Sequence, residues 1–429
     1  MHRTDNRHAT GGSQTHSGRH RGFSGHGHQA RTVEAHREAV RELLVDFSGP
    51  GRTEELPLQA ALGRGLAADI PAPVDLPPFA NSQMDGFAVR SQDIPDGGTD
   101  LRVVAPIPAG ATAAALEPGT AAPIMTGAMI PAGADAVVPV EKAVPDSFPE
   151  PGAAATVRLP ATEAGTYVRS AGSDIPAGEL ALAAGTFLGP GQLGLLAALG
   201  ITRVTVHRKL TVLLATTGDE VVEPGSPLEP GKIYDANGTL LEAAMRQAGL
   251  EVLRAAISTD SPDELTATLR RHAPQVDLIV TTGGVSKGAY EVVRQAAAGQ
   301  DVEFLHVAMQ PGGPQGLGRF DGVPFVGFPG NPVSCLVSFE MFLRPVLSSL
   351  FGAPAPRPAI RARLAAPLES PEGKHQLRRG TLLPDGSVRL EGGAGSHLVH
   401  ALANSNALIH VPVGTSALAA GAEVEVWTL

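Results

Sequence analysis

Two segments limit what this chain can become: Asp277 to Gly288 reads DLIVTTGGVSKG and Val323 to Cys335 reads VPFVGFPGNPVSC. In each, an apolar run suited to a buried strand feeds a glycine-rich turn and then a helix start. In the first, Ile279, Val280, Thr281 and Thr282 are β-branched, and Gly283 and Gly284 let backbone amides approach a ligand closely. In the second, Pro329 and Gly330 turn the chain onto a helix with Asn331 at its cap and Pro332 at its first position. A helix start of this kind presents free amides that favour negative charge. Either turn alone reads equally well as an ordinary strand-to-helix junction. Two together make paired anion cradles.

The surroundings fit that reading. From Lys209 onward strands alternate with helices: LTVLLATT, a helix with Asn237 at its cap, EVLRAAIST, a helix opened by Ser261-Pro262 and ending at His272, VDLIVTT, and a helix after Gly288. Such alternation predicts a parallel sheet with ligands beyond the carboxyl ends of its strands. Val33 to Phe47 has helical spacing and is stopped by Gly49-Pro50-Gly51. Residues 66 to 190 break into short strand-like runs cut by Pro and Gly, and Gly189 to Ile201 reads as a short helix. Beyond the PAPRP linker the alternating runs predict a small β-barrel or sandwich.

At 429 residues the chain exceeds one ordinary core. Its first 31 residues hold five Arg and one Asp, leaving 28 basic and 42 acidic residues in the rest. An acidic body argues against a nucleic-acid partner. The opening residues are poor in large apolar side chains and read as a tail, whose His2, His8, His16, His20, His26 and His28 lack the spacing of a defined metal site. The single Cys335 excludes an internal disulfide and a multi-cysteine metal site. No apolar run is expected to reach the roughly 18 residues of a membrane helix. These features predict a cytoplasmic protein without a membrane partner.

Carboxylates fall where the sheet would place a ligand: Asp219 and Glu220 after one strand, Asp260 after the next, and Glu291 beyond the first cradle. Carboxylates beside phosphate-cradling turns can hold Mg²⁺, which takes hard oxygen ligands together with substrate oxygens. No Ser-His-Asp order, HExxH pair or P-loop lysine pattern is present, so covalent nucleophilic catalysis has no support. The segment PPFANSQMDGFAVRSQD, Pro77 to Asp93, reads by composition as a β-turn and strand.

With these strings in order, the chain resembles the molybdopterin molybdenumtransferase family, which inserts molybdate into adenylylated molybdopterin and is related to the E domain of gephyrin. The match runs through PPFANSQMDGFAV, PIMTGAMIPAGADAVVPVE, YVRSAGSDIPAGE, TTGDEVVEPG with KIYDANG, TTGGVSKG and FPGNPVS. The resemblance implies a multidomain α/β plus β fold. After the compositional tail at 1–30, it places an elongated linking domain at 31–70 and 165–207, an inserted β-rich domain at 71–164, a molybdopterin-binding α/β domain at 208–354 and a C-terminal β-barrel at 355–429.

The same resemblance assigns roles. Asp85 and Thr126 would enter the cleft from the inserted domain of a partner subunit in a homodimer. Glu220, Asp260 and Glu291 would surround Mg²⁺ and phosphate, with Asp219 beside them. Gly283, Gly284 and Ser286 would form the first cradle, and Pro329, Gly330, Asn331 and Pro332 the second. Arg379 and Ser396 would offer an oxyanion contact. The implied substrates are molybdate and molybdopterin-AMP, and the implied partners extend to the upstream adenylyltransferase and downstream molybdoenzymes. Two departures stand out: QPGGP at Gln310 to Pro314 replaces the family's common KPGKP, and Glu291 replaces its usual Asp. Anion binding would then lean on backbone amides, Ser286 and Arg379, or on Lys287 within the first cradle. Two other activities share these parts, adenylylation of molybdopterin and a non-catalytic gephyrin-like scaffold.

Overall fold

The run Thr211–Thr216 is apolar or hydroxylic on both of its faces, so it forms an interior strand covered on both sides. The structure is a computed structural model that describes residues 30–49, 51–112, 114–150, 154–256, 261–285 and 291–429. The histidines of the tail, Asp260, Ser286 and Lys287 therefore lie outside the described residues.

Thr211–Thr216 belongs to a six-stranded sheet whose spatial order is Glu251–Ala256, Thr211–Thr216, Leu278–Thr282, Val323–Phe328, Pro314–Phe320 and Asp301–His306. The first four strands are parallel. The last two are antiparallel additions. Local chemistry sets that change of direction: Asp321 and Gly322 both have positive φ, 44° and 83°, and close a two-residue hairpin. Helices cover both faces. Val212, Leu214, Val280 and Phe328 pack against Val33–Leu44, Ala236–Gln247 and the helix beginning at Pro332. Leu213, Ala215, Ile279 and Phe325 face Pro262–His272 and Val292–Ala296. Alternate residues of each strand thus feed two different cores.

Two details correct the sequence reading. Asn237 is not the helix cap; Asp235 is, accepting from the Gly238 amide at 2.8 Å. Furthermore, Pro332–Phe351 forms a 20-residue helix long and apolar enough to cross a membrane by length and composition, with mean hydropathy 1.4. Its charges, Glu340 and Arg344, lie one turn apart and interrupt the run in sequence, and most of the helix is buried inside the protein. The apolar surface of this helix is consumed by the core.

The last segment closes into a five-stranded barrel through His375–Leu382, Ser387–Leu390, Ala359–Leu364, Glu423–Thr428 and Ala407–Val411, which pairs back with the first. The PAPRP linker is pinned rather than loose. Arg357 donates to both carboxylate oxygens of buried Glu340, at 2.8 and 3.0 Å. Met309–Gln310, from the α/β domain, adds a short parallel strand to the barrel edge at His375–Gln376.

In the first half of the chain, Thr53–Pro57 pairs with Arg203–His207 and Ile70–Pro71 with Leu180–Leu182. Outgoing and returning strands lie side by side. Between them in sequence sits a five-stranded sheet of Ala136–Pro139, Gly86–Val89, Thr120–Ile124, Thr99–Val103 and Thr156–Leu159, with its own core around Phe87, Val138 and Leu159.

Candidate functional site

The carboxyl ends of the parallel strands open into a cleft of about 1020 Å³. Three turns from the sheet form its floor: Thr217 to Glu220, Gly283 to Val285, and Pro329 to Pro332. Gly283 and Gly284 have φ of 91° and 61°, and side chains there would meet Thr217 and Val293 at about 3 Å. Only glycine allows both the conformation and the approach. A Cβ on Gly330 would reach Gly283 at 3.4 Å, so the two cradles touch.

A polar hub locks these turns together. Asn237 donates from one amide nitrogen to the Gly330 carbonyl at 2.6 Å and to Thr282 Oγ1 at 3.1 Å. Cys335 Sγ donates to the Pro329 carbonyl at 2.7 Å and lies 2.9 Å from Thr282 Oγ1. Burial is the main reason the Cys335 thiol is pushed up to about 12, so it stays protonated. Below the hub, buried Asp235 accepts from Arg254 at 2.6 Å and from Thr216 at 2.9 Å.

Of the expected site residues, the cleft gathers Glu220, Glu291, Gly283, Gly284, Pro329, Gly330, Asn331, Pro332 and Ser396. Glu220, from the turn after Thr211–Thr216, and Glu291, from the start of the helix Val292–Ala296, give hard oxygen donors. Among the described residues no group of three His, Cys, Asp or Glu is assembled to hold a metal. Asp219 is exposed and does not line the cleft; its carbonyl accepts from Lys232 at 2.6 Å.

The second cradle is less open than its sequence suggests. Pro332 has no amide hydrogen, and the next amide, of Val333, donates to the Ser396 carbonyl at 3.1 Å. The barrel thereby satisfies one of the helix's free donors. Arg379 does not reach the cleft either: it is 1% exposed and donates to the Gly393 carbonyl, which supports the loop carrying Ser396. Residues the sequence reading missed also line the cleft, notably His306, Lys374 and His397.

Asp85 and Thr126 are brought together but away from this cleft. The Thr126 amide and hydroxyl both donate to Asp85 Oδ1, at 2.7 and 2.8 Å. These bonds, the backbone one foremost, hold the exposed Asp85 carboxyl below its usual range.

Glycine turns at parallel strand ends, backed by a helix start and flanked by carboxylates, define an α/β domain of the class that opens its ligand crevice beyond the carboxyl ends of its strands. Comparison with known proteins narrows the class. Residues 31–200 match the MoeA N-terminal region (domain I and II), 214–349 a probable molybdopterin binding domain, and 361–429 the MoeA C-terminal region (domain IV). Molybdopterin molybdenumtransferase 2 of Mycobacterium tuberculosis is 44% identical over 413 residues, covering 93% of this chain and 100% of the relative. The Haemophilus influenzae molybdopterin molybdenumtransferase is 34% identical, covering 91% and 97%. Among solved structures, a molybdopterin biosynthesis moeA protein from Pyrococcus horikoshii superposes with a TM-score of 0.79 at 27% identity, covering 94% of this chain and all of that one. The chain belongs to the molybdopterin molybdenumtransferase family.

Proposed function

We propose that this chain inserts molybdate into molybdopterin-AMP and releases AMP. The observation that carries the reading is the convergence of both cradle turns, Glu220, Glu291 and the barrel residues Lys374 and Ser396 on one cleft. The names of its relatives point the same way.

In this reaction water adds to phosphorus, the phosphoanhydride bond breaks, and AMP leaves. The two dithiolene thiols bind molybdenum while one oxide departs as water with both thiol protons. The chain's part is to hold the phosphates against the cradle amides and to keep the reacting groups aligned. Glu220 and Glu291 would hold Mg²⁺, which would offset charge on the phosphate oxygens when bound. Asp260 is the third carboxylate of that set by resemblance.

The Asp85–Thr126 pair is exposed and outside the cleft of its own chain. In this reading a second copy of the chain supplies that pair, and the working form is a homodimer in the cytoplasm. Mass measurement by light scattering, with Asp85→Ala and Glu220→Ala mixed to restore activity, tests the arrangement.

The defining experiment follows AMP release from molybdopterin-AMP with and without molybdate. Molybdate-stimulated release that is lost in Glu220→Ala supports insertion. ATP consumption without molybdate would favour an adenylyltransferase, and binding without release a scaffold.

A further inference from the structure

The charges around the cleft are unevenly placed. Glu220 stands on the turn after Thr211–Thr216 and Glu291 at the start of the helix Val292–Ala296, both on the α/β domain, whereas among the described lining residues Lys374, on the barrel, is the one permanent cation. A tetrahedral dianion is repelled by the first group and drawn to the second. The turn Gln310 to Pro314 lies beside that cation, and its own side chains add no charge.

Three contacts explain how the charge came to sit there. Met309 and Gln310 pair in parallel with His375 and Gln376, and the His375 amide donates to the Ala308 carbonyl at 2.9 Å. Lys374, one residue earlier, is thus carried to the edge of the turn. Gln310 is committed to the same strap, since its Oε1 accepts from Gln376 Nε2 at 2.7 Å. At the other end of the turn, a Cβ on Gly313 would lie 2.5 Å from the His306 ring, so His306 occupies the direction a side chain at 313 would take. Lys374 itself is half-buried and forms no ion pair among the described residues.

We propose that Lys374 is the principal cation of a tetrahedral oxyanion subsite, with His306 and Ser396 as its neighbours. The barrel, rather than the Gln310–Pro314 turn, then provides the charge that recognises molybdate. This inference rests on the insertion reading for the identity of the anion.

The test is calorimetric titration of molybdate, tungstate, sulfate and phosphate into the wild type, Lys374→Ala, Lys374→Gln, Lys374→Arg and His306→Asn, with AMP titrated separately and folding followed by circular dichroism. Removing a charge-assisted contact should weaken molybdate binding by about tenfold or more in both neutral variants. Lys374→Arg should restore most of it, and AMP affinity should stay within about twofold because the cradles are untouched. Weaker binding of sulfate and phosphate than of molybdate by the wild type would mark the subsite as selective. Unchanged molybdate affinity in folded Lys374→Gln, or no molybdate binding by the wild type, overturns the proposal. Loss of molybdate binding confined to Lys287→Ala, titrated in parallel as a further variant, would place the charge on the first cradle and overturn it equally. Lys374-dependent binding without AMP release would sink the insertion reading and leave the subsite standing.

Discussion

The amide nitrogen of Asn237 lies 2.6 Å from the carbonyl oxygen of Gly330 and donates to it. This bond joins the first turn of one helix to the loop that starts another. Through Thr282 it also reaches the end of the strand that carries the first cradle.

Asn237→Ala should therefore affect activity more than folding. Loss of the bonds should cost about 1 kcal/mol in urea unfolding. Misplacement of two cradles at once should lower AMP release by on the order of 10–100-fold. A variant with wild-type release would show that the cradles hold their spacing without this bridge.

Glu340 is 1% exposed and is held by Arg357 from the linker and by Arg344 one turn away. Glu340→Ala leaves two arginines without their counter-charge and should cost about 3–5 kcal/mol, read as a lowered urea midpoint. Glu340→Gln keeps part of the hydrogen bonding and should fall between that variant and wild type.

His36 and His410 give the acid response. Burial, aided by Arg31, lowers His36 to about 3; burial, aided by His375 and Arg37, lowers His410 to about 3. Between those values and the ordinary 6.5 the unfolded chain binds more protons than the folded one. The stability they leave intact at pH 7 is lost as pH falls below about 6.5 toward 3, at up to about 1.4 kcal/mol per pH unit for each histidine. His36 packs edge-on to Phe342, and neither ring nitrogen has a hydrogen-bond partner among the described residues. His36→Leu should flatten the dependence measured by urea unfolding between pH 7 and pH 5; an unchanged slope would assign the acid response elsewhere.

Cys335 should resist thiol reagents. It is fully buried, bonded to the Pro329 carbonyl and held protonated. Native protein at pH 8 should show no labelling by a disulfide reagent, and denatured protein should show its one thiol. Rapid native labelling would mean that the hub opens.

The α/β core was legible because its strands are unbroken apolar runs and its helices carry clear stops. Capping was not settled by sequence: Asp235 and Asn237 are both good caps, and only the docking of Gly330, Thr282 and Arg254 assigns one to the helix and the other to the cradles. The cleft's glycine turns and Glu220 were readable for the same reason as the strands, since their chemistry is local. Lys374 and His306 were not, because each reaches the cleft only through strand pairings between distant segments. Arg379 is an expected anion contact only through the family resemblance, yet its side chain is buried and donates to the Gly393 carbonyl.

The short pairing of Met309–Gln310 with His375–Gln376 also bears on how such chains can be recombined. A chimera joined within the linker at 353–358 would exchange Lys374 and Gln376 while keeping Gln310, and the new barrel would meet a turn shaped for another partner. The turn and the barrel edge are thus a single inherited unit, and a productive crossover has to fall before Met309 or leave both sides of the strap from the same parent.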